Sequence, residues 1–103
     1  MTTPRTAADC ATMAELRAEI DRIDAALVGL LTERMGYIDR AAELKPGIGM
    51  PARVDARVEE VVARVRAASA GQGFDADLAE ALWRRLIEWS IAREERILGT
   101  SRP

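Results

Sequence analysis

Histidine is absent from this 103-residue chain, and cysteine occurs once, as Cys10. Without histidine no Ser–His or Cys–His nucleophilic relay can form. One cysteine cannot close an intrachain disulfide, and with no histidine beside it it cannot build a zinc site; no metal and no other cofactor is expected. Aromatic residues are limited to Tyr37, Phe74, Trp83 and Trp89. Seven glycines and four prolines are too few for a low-complexity linker. Fifteen basic residues against seventeen acidic ones leave a net charge of −2, which lacks the basic excess of a general nucleic-acid binder. No apolar run approaches the roughly 18 residues of a membrane span. The opening MTTPRTAADCAT has no apolar segment of the kind a secretory leader carries. These absences favour a cytoplasmic protein with neither nucleic acid nor membrane as partner.

What is present points to helices. Apolar residues make up 49% and charged residues 31%, a globular balance. Abundant Ala, Leu, Arg and Glu make an all-α class the natural reading. Residues 1–12 read as a loose N-terminal arm, 13–98 as one helical domain and 99–103 as a fraying tail. Thr12 and Glu15 have capping-box spacing. From there Leu16, Ile20, Ile23, Leu27, Leu30, Leu31, Ile38 and Ala41 recur at three- and four-residue steps, predicting a first helix over about 13–45, roughly 48 Å long. Two prolines and two glycines between Pro46 and Pro51 break it. A second helix is expected over about 52–70, with Val54, Val58, Val61, Val62 and Val65 on one stripe. A third, capped by Asp75, is expected over about 76–98, with Leu78, Leu82, Leu86, Ile87, Ile91 and Leu98 inward and Gly99 as its stop.

A compact monomer of this size is roughly 35 Å across. A 48 Å helix that is apolar to both ends overhangs such a body, and two shorter helices cannot cover all of it. A homodimer in which long helices of two copies pack together resolves the mismatch, the alternative being a bent first helix in a monomeric three-helix bundle.

In such a chain the informative residues are charges on apolar stripes. Arg34 follows Leu27, Leu30 and Leu31 at helical spacing, and Lys45 lies eleven residues on, within about 20° of the same face and roughly 16 Å away. Arg17 is seventeen residues before Arg34, about 25 Å along the helix and rotated by about 100°. One straight helix cannot bring both arginines to one small ligand, so a shared pocket requires Arg17 from a partner chain. On the third helix Glu94 holds an inward position one turn after Ser90. Its carboxyl group must pair with a cation, with Arg17 or Arg34 as candidates, or carry a proton. Arg57 opens the second helix just after the Pro/Gly break. Taken as isolated residues, these arginines read first as snorkelling or paired surface side chains. Trp83 and Trp89 read as packing residues, and the Arg84/Arg85 and Arg93/Arg96 pairs as solvated faces.

Taken together, Arg17, Arg34, Lys45, Arg57, Ser90 and Glu94, with the local text LRAEIDRIDAALVGLLTERM at 16–35 and LIEWSIAREE at 86–95, resemble the all-helical chorismate mutase family over about 13–98. The resemblance implies an intertwined helical homodimer with shared sites and a small dicarboxylate substrate. It implies Arg17 (from the partner chain) and Arg34 as carboxylate clamps, and Lys45 as donor to the ether oxygen of the breaking bond. Glu94 faces the same oxygen, and Arg57 and Ser90 contact the hydroxyl or carboxylate side. Lys45, Glu94 and Arg34 would then be catalytic. The implied activity is the isomerisation of chorismate to prephenate, a step toward the aromatic amino acids. That pericyclic step needs no nucleophile, base or metal, which suits a chain without histidine. Many bacterial relatives carry Gln where Glu94 stands. A carboxylate has no hydrogen to donate, so Glu94 must be protonated to help. The TAADC arm, the IDRID text, Arg34-Met35-x-Tyr37, and Val58 where many mutases carry Glu also resemble the family's isochorismate-pyruvate lyase branch, which gives salicylate and pyruvate. A helical dimerisation module without catalysis is the reading from another class. The segment 46–53 is expected to act as a lid.

Overall fold

Three helices dominate the computed structural model, which describes residues 3–100: α1 (Met13–Leu44), α2 (Asp55–Gln72) and α3 (Ala76–Thr100). Among the described residues there is no strand. The capping box opens α1: Glu15 N–H donates to Thr12 Oγ1 at 3.1 Å, and Thr12 N–H donates to Glu15 Oε1 at 3.2 Å. Ala11 N–H donates to the same oxygen at 2.9 Å. That bond first, and the nearby Arg5 cation second, hold the Glu15 carboxyl below its ordinary range. The arm is more ordered than expected. Thr6 caps a 3-10 turn at Ala7–Asp9, and Arg5 Nε sits 3.2 Å from Glu15 Oε2.

Pro46 ends α1 on schedule, though the chain does not open into a loop at once. It tightens into a 3-10 turn, Lys45–Ile48, in which the proline's missing N–H costs nothing within the first turn. Gly49, at φ 66°, then reverses the chain. α2 starts three residues later than expected, because Val54 is extended and serves as its N-cap. Gly73, at φ 76°, closes α2, with Phe74 N–H donating to Ser69 O at 2.8 Å. Asp75 caps α3 as expected, its Oδ1 accepting from Leu78 N–H at 3.0 Å. α3 continues through Gly99 to Thr100: a glycine ends a helix only when it turns left-handed, and Gly99 does not. The last three residues of the expected tail, 101–103, lie outside the described residues.

The chain divides between Met35 and Gly36 into two compact units. In the first, the apolar stripe of α1 is largely uncovered in the single chain: Ile20, Ile23, Leu27, Leu30 and Leu31 are all exposed, Leu30 at 62%. In the second, α2 packs on α3. Its core holds Ala52, Val62, Ile87 and Ile91, with Val58, Val61, Trp83 and Leu98 packed against it. Leu78 and Leu82 were expected inward but are about half exposed. The face that α3 buries runs instead through Ala79, Ile87, Ser90, Ile91 and Glu94, with Trp83 half-buried on it. No helix among the described residues is long and apolar enough to cross a membrane.

Candidate functional site

Glu94 and Ser90 face the interior of the second unit because they share a helical stripe with Ile87 and Ile91. Glu94 is 4% exposed and Ser90 3% exposed. Within this unit the cation that meets Glu94 is Lys45. The Lys45 Nζ lies 2.8 Å from Glu94 Oε1, with both side chains largely withdrawn from solvent. The approach is too oblique for a hydrogen bond, so the contact is an electrostatic one, and Oε1 has no hydrogen-bond donor among the described residues. The directed bond of Lys45 goes elsewhere, to Ala52 O at 2.8 Å. Ser90 Oγ donates to Leu86 O at 2.9 Å, a bond back to its own helix.

Arg57 is exposed and turned along α2 to Glu60. Arg17 and Arg34 belong to the first unit, where Arg17 is exposed and Arg34 half-buried. The structure therefore brings Lys45, Glu94 and Ser90 into one buried locus and leaves Arg57 on the surface.

Several residues of the second unit escaped the sequence reading. The Arg53 guanidinium grips Glu88 of α3 through two bonds, Nη1 to Oε1 at 3.0 Å and Nη2 to Oε2 at 2.5 Å. This pairing holds the Glu88 carboxyl below its ordinary range. Arg93, expected on a solvated face, grips Asp39 near the end of α1 with bonds of 2.5 and 2.9 Å, and lies over the Trp89 ring at 5.8 Å. The Arg93 hydrogen bonds hold the Asp39 carboxyl low. Arg84, also expected in solvent, bridges Glu59 of α2 and Glu80 of α3. Apart from Glu80–Arg84, one turn apart on α3, these pairs join residues 25 to 54 positions apart, so no local periodicity announces them.

The locus can do limited but definite chemistry. A buried ammonium held by one carbonyl keeps donor capacity for a ligand oxygen, and a buried carboxyl oxygen without a donor stands beside it. This suits stabilisation of negative charge on a substrate oxygen, with no nucleophile required. A model of the family described as chorismate mutase type II matches residues 16–95. An isochorismate pyruvate lyase from Pseudomonas aeruginosa is 38% identical over 93 residues, covering 87% of this chain and 88% of that protein. A chorismate mutase from Methanocaldococcus jannaschii is 28% identical over 86 residues, covering 84% and 87% of the two chains. A bifunctional chorismate mutase/prephenate dehydratase from Aquifex aeolicus is 31% identical over 86 residues, which cover 81% of this chain and 24% of that longer protein.

Proposed function

The chain belongs to the chorismate mutase type II family, and we propose that its own reaction is the rearrangement of chorismate to prephenate. The observation that carries this reading is the buried Lys45–Glu94 pair. An ammonium has three donors. One serves Ala52 O, and the oblique contact with Glu94 leaves another for the ether oxygen of the breaking bond. Charge builds on that oxygen in the transition state, so a donor fixed there in advance lowers the barrier. Glu94 lines the same side of that oxygen in this reading.

Arg34, and Arg17 from a second copy, clamp the two substrate carboxylates in this reading. Bidentate guanidinium–carboxylate pairing selects the chair-like conformer that the reaction needs. Arg57 exchanges Glu60 for the substrate, and Ser90 contacts the substrate's polar edge. The homodimer is part of the same proposal. Support for it comes from the exposed apolar residues Ile20, Ile23, Leu27, Leu30 and Leu31 on a helix of 32 residues, a surface that a second α1 would cover.

A second reading, isochorismate-pyruvate lyase, is favoured by Val58. It follows Arg57 where many mutases carry Glu, and it packs against the core, so it offers the substrate no charge. The P. aeruginosa relative carries that activity in its name. Separate incubations with chorismate and with isochorismate decide between the two. Prephenate from the first supports the mutase, and salicylate plus pyruvate from the second supports the lyase.

A further inference from the structure

The ammonium of Lys45 takes its direction from one carbonyl, that of Ala52. Ala52 sits in the short connection between the 3-10 turn and α2, and it is 7% exposed, part of the core cluster. Its neighbours explain how that carbonyl is held. On one side Gly49 is left-handed, Met50 N–H returns to Lys45 O at 2.9 Å, and Pro51 has no N–H to contribute. On the other side Arg53 reaches α3 and grips Glu88 with both arms of its guanidinium. The peptide group joining Ala52 to Arg53 is planar, so the Ala52 carbonyl and the Arg53 amide turn as one rigid plate. A two-bond fork on Arg53 restrains that plate more than a single contact does.

We propose that the Arg53–Glu88 ion pair is a positioning device for Lys45: it latches the 49–54 connection onto α3 and so aims the Ala52 carbonyl that orients the lysine ammonium. The inference rests on the reading of Lys45 as donor to the substrate's ether oxygen. The pair itself is about half exposed, 45% and 50% for the two side chains, so it adds little to global stability. Its effect is local. Releasing it lets the plate rotate and misdirects the ammonium, and a shift of about 1 Å at a reacting group costs up to a hundredfold in rate.

The test compares the wild type with Arg53→Ala, Glu88→Ala and the charge-swapped Arg53→Glu/Glu88→Arg protein. Rates are measured with whichever of chorismate and isochorismate the wild type converts. The expected result is a kcat about tenfold lower in each alanine variant, with KM and melting temperature close to wild type, and recovery of most of the lost kcat in the swap. Unchanged kcat in both alanine variants overturns the proposal. So does a loss of kcat that tracks a loss of thermal stability and is not rescued by the swap. A second readout needs no reaction: the Nζ resonance of Lys45 in lysine-labelled protein should shift and its protons exchange faster in Arg53→Ala, returning toward wild type in the swap. A Lys45 signal indifferent to Arg53 overturns the latch even in an active enzyme. A protein that converts neither substrate but shows the expected Lys45 response refutes the proposed reaction and leaves the latch standing.

Discussion

Lys45 Nζ and Glu94 Oε1 lie 2.8 Å apart in a locus where Glu94 is 4% exposed, yet they do not form a directed hydrogen bond. Two opposite charges withdrawn from water this way are costly to separate. Removing one partner strands the other, at about 3 kcal/mol or more, whereas replacing both by apolar groups is close to neutral. Lys45→Met should therefore lose about 3 kcal/mol of unfolding free energy, and Lys45→Met/Glu94→Leu should recover most of it. Neither variant should recover turnover. Denaturant titration beside single-turnover rates separates the structural role of the pair from its chemical one. A double variant with turnover restored would mean that the lysine is not the donor.

Glu94→Gln tests whether a hydrogen on the carboxyl matters. The Gln amide donates at any pH, a carboxylate at none. The variant should be about tenfold faster than wild type at neutral pH. A rate equal to wild type, in a folded variant, removes Glu94 from the reaction.

Shared sites make a prediction about mixtures. Arg17→Ala and Arg34→Ala should each be inactive alone. Unfolded together and refolded, they should regain part of the activity, because one of the two sites in a mixed dimer then carries both arginines. Absence of recovery when mixed dimers are demonstrably present contradicts the assignment of Arg17 to the partner's site.

The Asp39–Arg93 pair sets an acid limit on stability. Hydrogen bonds from Arg93 lower the Asp39 carboxyl from its ordinary value of 3.8. A carboxyl group lowered on folding stabilises the native state fully above its unfolded value and loses that contribution as pH falls through its folded one. Asp39→Asn should melt below the wild type at neutral pH, and the difference should close as pH falls below about 3.8. Melting curves at a series of pH values check this, and a difference that persists at low pH assigns it to packing instead.

The elements set by nearby residues were legible in the sequence. The Thr12/Glu15 box, the Asp75 cap and the break at Pro46 each act within a few residues, and each stands where local chemistry put it. Glu94 and Ser90 were legible as buried polar groups because they share a stripe with Ile87 and Ile91. What depends on tertiary partners was not. The Lys45–Glu94 contact rests on how the end of α1 and α3 come together. Arg84 and Arg93 looked solvated because Glu59 and Asp39, which they reach, lie on other helices. Arg53 carried no periodic signal at all, standing outside any helix in a connection whose course depends on Glu88. Leu78 and Leu82 fit a helical stripe on paper, but the neighbouring stripe through Ala79 and Ile87 is the one that is buried.

The most direct measurement is product identification after the purified protein is incubated with chorismate, with Lys45→Met run in parallel. The account predicts prephenate from the wild type, at a rate that the variant lowers by about a hundredfold or more. Failure to form prephenate from chorismate, or its formation at an undiminished rate by Lys45→Met, would contradict it.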